Sequence, residues 1–148
     1  AYYLRFLEDV FPYMEKYHYK IGMKTVLNEI HQILEKSFGE TKDKALYLDY
    51  CAACEKKIDK AIQLEKQALS LLTEINVDNA HLAANIHANL GALYREVGQI
   101  KYAKQHMEAG FTILEQYNNK INGSFDFFDS LSAKGDVLRL GNYIEYFI

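Results

Sequence analysis

The sequence predicts an all-α protein built from antiparallel helix pairs, and three observations lead there. Pro12 is the only proline among 148 residues, and the eight glycines lie mostly near expected helix ends. Apolar residues recur at helical spacing, most clearly Met23, Val26, Leu27, Ile30, Ile33 and Leu34. A pattern of packed residues and turn glycines also returns along the chain. Leu27, Ala61 and Ala103 open the packed face of successive second helices, 34 and then 42 positions apart, and Gly98 and Gly141 lie 43 apart.

Taken in order, the first helix is expected over Tyr2 to Val10, where Leu4, Leu7 and Phe11 share a face. Pro12 interrupts it, and a second helix restarts nearby and runs to about Tyr19, because proline is tolerated in a first turn. Ile21-Gly22 then turns the chain into the Met23–Leu34 helix, which Phe38-Gly39 ends. Thr41 to Glu55 follows, with Thr41 as N-cap. After Lys56-Lys57, Asp59 caps a helix whose stripe is Ala61, Leu64, Ala68, Leu71 and Leu72. Asn76 to Asn79 reads as a loop. His81 to Val97 and Ile100 to Tyr117 form the best-defined pair, and the next loop holds Asn118-Asn119-Lys120 and Asn122-Gly123-Ser124. A helix over Phe127 to Arg139, a turn at Gly141-Asn142 and a helix beginning at Tyr143 complete the chain.

Within the best pair, Leu90, Gly91 and Tyr94 fall on one helix face, and Ala103 and Met107 fall on one face of the next. Gly91 and Ala103 are small enough for close backbone approach, with Tyr94 and Met107 filling the gaps beside them. Gly98 suits the left-handed conformation that ends a helix. This spacing resembles the tetratricopeptide repeat, W-x2-L-G-x2-Y followed by Ala, an aromatic and Pro. Leu90-Gly91, Tyr94 and Ala103 match; His87, Met107 and Glu115 stand where Trp, Phe and Pro would be. The longer repeats resemble those of kinesin light chains and of bacterial signalling proteins. The resemblance implies a helix-pair solenoid of about three and a half repeats (8–40, 41–78, 79–122 and a truncated 123–148), with the first helices lining a concave groove. The chain opens with Ala and reaches Ile148 inside a helical pattern, so a piece of a larger protein is expected.

Composition excludes several classes. A net charge of −3 with no run of Lys or Arg gives no electrostatic footprint for nucleic acid. No apolar run approaches the ~20 residues of a membrane span. Two cysteines make no disulfide framework, and free thiols fit a reducing cytoplasm. Cys51 and Cys54 form a C-x-x-C without a second ligand pair of suitable spacing, so they read as packing thiols rather than a metal site. His18, His31, His81, His87 and His106 form no metal motif, and no cofactor is expected. The acidic pairs Glu8-Asp9 and Asp126/Asp129 read as solvated helix ends. No nucleophile–base pair is visible, so the chain is read as a non-enzyme.

Binding residues are better defined. Asn85 and Asn89 stack four apart on the first helix of the best repeat, and each amide can both donate and accept along a peptide backbone. By the repeat alignment they face the groove, with Tyr50, Arg95, Phe128 and Arg139; aromatics and arginine are enriched at hot spots. Asn89 matches the asparagine of carboxylate-clamp tetratricopeptide domains. Leu46, Tyr50, Phe128 and Ser132 depart from the other clamp positions, which argues against a clamp. The expected function is a protein- or peptide-binding module of a cytoplasmic signalling or regulatory protein. Two alternatives stay open: a sensor segment of a bacterial peptide-responsive regulator or signal-transducing NTPase, and a structural or self-associating spacer.

Overall fold

The computed structural model describes residues 2–36 and 41–122, and the regular structure among them is helical throughout. The helices are α1 (Tyr2–Lys16), α2 (Lys20–Lys36), α3 (Thr41–Cys54), α4 (Ile58–Leu71), α5 (Ala80–Glu96) and α6 (Ile100–Asn122). They form two compact units, one ending at Leu71 and one starting at Leu72. Phe128, Arg139 and the last expected helices lie outside the described residues.

In the first unit, α1 packs on α2, and α3 packs on α2, α4 and α1. Its core is the stripe each helix offers: Leu4, Leu7 and Phe11 from α1, and Met23, Val26, Leu27 and Ile30 from α2. Tyr47, Tyr50, Cys51 and Cys54 of α3 close over it. Ala45 and Ala52 of α3 are buried, as are Ala61 and Ala68 of α4.

Three sequence expectations need correcting here. Pro12 does not break α1, which runs through it. Proline removes the amide that would bond the carbonyl four residues back; that carbonyl belongs to Glu8, and the Tyr50 hydroxyl donates to it at 2.7 Å. Ile21-Gly22 is not a turn, because both lie inside α2. Gly22 is buried where an added methyl would collide with the Tyr19 ring. The turn is made instead by His18, a non-glycine residue at φ 57°. Asp59 sits within the first turn of α4 rather than before it.

The second unit is the α5–α6 hairpin and the segment leading into it. Gly98 turns the hairpin at φ 79°. Its amide bonds the Arg95 carbonyl at 3.0 Å, and the Gln99 amide bonds the Tyr94 carbonyl at 2.9 Å. His18 and Tyr19 repeat that pair of bonds to Glu15 and Met14, at 3.1 and 2.9 Å. Both are the Schellman close of a helix. Counted from these turns, Met23 corresponds to Ala103, and Leu27 to Met107.

Gly91 receives Met107: a methyl there would stand 2.7 Å from the Met107 Cγ. Gly110 takes the closest backbone approach, 3.0 Å from a built Cβ to the Ala84 carbonyl. Asn118-Asn119-Lys120 does not form a loop, since α6 continues to Asn122. Asparagine is only mildly unfavourable within a helix, and no Gly or Pro stops the chain there. Ahead of α5, Asn76 Oδ1 accepts the amides of Asp78 and Asn79, and Asn79 holds the Glu74 carbonyl through Nδ2. The Tyr117 hydroxyl bonds the Ile75 carbonyl at 3.0 Å.

Candidate binding surface

Asn85 and Asn89 stand one turn apart on α5, both half-buried. Arg95 is half-buried in the last turn of the same helix, where its charge complements the dipole. At ~100° per residue, Asn85 lies between the other two around the helix axis, about 40° from Asn89 and about 80° from Arg95. The three therefore share one broad side of α5. Residues around and opposite them go to the interior: Ala80, Leu82, Ala83, Ala84, Ile86, Leu90 and Gly91. Gly91 and Gly110 let this helix approach α6 closely.

Tyr50 is placed in the first unit. Its ring stacks on Phe11 with centroids 4.1 Å apart, and its hydroxyl is committed to Glu8. Burial, then the nearby carboxylates led by Asp49, push its phenol well above the usual range. It acts as a neutral donor in this structure.

A second cluster, on the hairpin's flank, went unseen in the sequence. His87 and His106 face each other across α5 and α6 with their Nδ1 atoms 3.0 Å apart. Tyr94 stacks on His106 at 5.5 Å and on Tyr102 at 5.4 Å. Burial, reinforced by His106, lowers His87 to about 4. One imidazole must donate where the other accepts, so the pair shares a single Nδ1 proton. Tyr94 lies seven residues beyond His87, and Tyr102 four before His106, which was the available signal. The register between the helices was needed to join them.

Other titratable groups are structural in setting. Glu8 is pushed up to about 8, by burial first and then by its hydrogen bond to Asp43. Cys51 and Cys54 are half-buried, and burial raises both thiols. A raised thiol is a poor nucleophile at neutral pH. Among the described residues no three His, Cys, Asp or Glu side chains are grouped to hold a metal, and no helix is long and apolar enough to cross a membrane. A cleft of about 240 Å³ lined by Tyr3, Glu29, Gln32, Ile33 and Lys36 is smaller than the ~300–1,000 Å³ of small-molecule sites. Compared with known proteins, the chain matches no family model, no curated protein and no solved structure.

Proposed function

We propose that the chain is a non-catalytic protein- or peptide-binding module, a tetratricopeptide-like array serving a cytoplasmic signalling or regulatory protein. The observation that carries this reading is the Asn85–Asn89 pair, one turn apart and half-buried on α5. An extended segment running along α5 would pass two amide side chains, a group that both donates and accepts along a peptide backbone. Such contacts recognise a peptide backbone whatever its side chains. Arg95 adds a charged donor at the end of the helix, suited to an acidic side chain or carboxylate.

The test begins with recovering a bound segment by pull-down and mass spectrometry, then synthesising it. Calorimetry follows on the native chain and on the Asn85→Ala/Asn89→Ala double variant, both verified as helical by circular dichroism. Loss of two amide contacts at about 1 kcal/mol each weakens binding on the order of thirtyfold. Equal affinity for both proteins would refute the assignment of this face and favour a spacer role.

A further inference from the structure

Helix α1 carries two apolar seams. Leu4, Leu7, Phe11 and Met14 face the core. Tyr3, Phe6, Val10, Tyr13 and Tyr17 form the other, in the alternating three- and four-residue steps of a coiled-coil seam. This second seam lies about 100° round the helix from the first. Val10 is half-buried and also packs against the core, but Tyr3, Phe6, Tyr13 and, just past the helix, Tyr17 are 54%, 59%, 66% and 72% exposed. Tyr19 in the turn and Ile21 at the start of α2 are exposed as well. With ~150–250 Å² on each aromatic side chain, it leaves roughly 800 Å² uncovered. Typical monomers show largest patches of roughly 300–600 Å². A stable interface takes about 800 Å² from each partner.

We propose that this seam joins two copies of the chain, α1 against α1, antiparallel about a two-fold axis. The antiparallel register sets Val10 opposite Tyr13 of the second copy and Phe6 opposite its Tyr17, each twice. Tyr3 then reaches the second copy's turn, where Tyr19 and Ile21 are exposed. The flanking charges select this arrangement. Asp9 and Lys16, both exposed, occupy the same flanking position of successive heptads. Antiparallel pairing brings Asp9 beside Lys16 of the other copy, and Lys16 beside its Asp9. A parallel pairing offers neither an opposite charge, because the other flank, Leu7 and Met14, belongs to the core. The interface uses α1 and the turn into α2 and is independent of the role of α5.

Sedimentation velocity of the whole chain measures the dimer, and a charge swap tests its register. Asp9→Lys sets lysine against lysine twice per dimer, and Lys16→Asp sets aspartate against aspartate. Each is expected to raise the dissociation constant about tenfold. The double variant Asp9→Lys/Lys16→Asp restores it to within about threefold. Both side chains are exposed, so circular dichroism should report unchanged helicity. A chain that stays monomeric to its solubility limit overturns the proposal and reserves the seam for another protein. Single reversals without effect, or a double swap that fails to restore association, overturn the antiparallel register.

Discussion

The Tyr50 hydroxyl supplies the hydrogen bond that Pro12 removes. Pro12 has no amide to offer the Glu8 carbonyl, and Tyr50 reaches that oxygen from α3 at 2.7 Å. A buried carbonyl left without a donor costs ~1–3 kcal/mol. Tyr50→Phe keeps the stack on Phe11 and deletes only the donor, so it should lower the unfolding free energy by about 1–2 kcal/mol. In a Pro12→Ala background the restored amide takes over, and the same change should cost below about 0.5 kcal/mol. A double-mutant cycle from urea denaturation measures the difference. Equal costs in both backgrounds would show that the hydroxyl does not compensate for the proline.

The two Schellman turns make a paired prediction. His18 and Gly98 hold the same place in the same motif, but only Gly98 lacks a Cβ. A side chain in the left-handed region costs ~1–2 kcal/mol. His18→Gly should therefore raise stability by about 0.5–1 kcal/mol, and Gly98→Ala should lower it by about 1 kcal/mol. Open space surrounds the Gly98 position, so conformation rather than collision sets that loss. Thermal unfolding of the two variants gives both signs.

Acid and base should act on different units. His87 falls from an ordinary 6.5 to about 4. Between those values the unfolded chain takes up a proton that the folded hairpin refuses, so the second unit loses stability as pH falls from 6.5 towards 4. After discounting for partial exposure the loss is on the order of 2 kcal/mol. Glu8 rises from 4.5 to about 8. Here the folded state keeps the proton, so the first unit loses stability as pH rises from 4.5 through 8 and levels off above. Hydrogen exchange resolved by peptide follows α1 with α3 and α5 with α6 separately. Glu8→Gln should flatten the alkaline loss, and His87→Asn the acid loss. A profile unchanged by either substitution would remove that group from the account.

Helices were legible wherever apolar spacing was regular, which is why five of the six helix cores fall where the sequence places them; α1 alone was divided, at Pro12. That boundary depended on a hydroxyl arriving from another helix, and no local rule contains it. Gly22 read as a stop because glycine ends helices; here it serves packing, and a histidine takes the left-handed turn. Asn85 and Asn89 were legible as neighbours because one helix alone sets their spacing. The His87–His106 pair and the role of Tyr50 each required two helices in fixed register.

Each unit is closed by a phenol. Tyr50 holds the Glu8 carbonyl and Tyr117 the Ile75 carbonyl, each bond joining residues 42 apart in sequence. Both bonds are made between neutral groups. Added salt screens exposed ion pairs within roughly 10 Å at 0.1 M. It leaves a phenol-to-carbonyl bond in place. These two ties, each spanning 42 residues, are therefore indifferent to ionic strength, and each unit keeps its closure in brine as in dilute buffer.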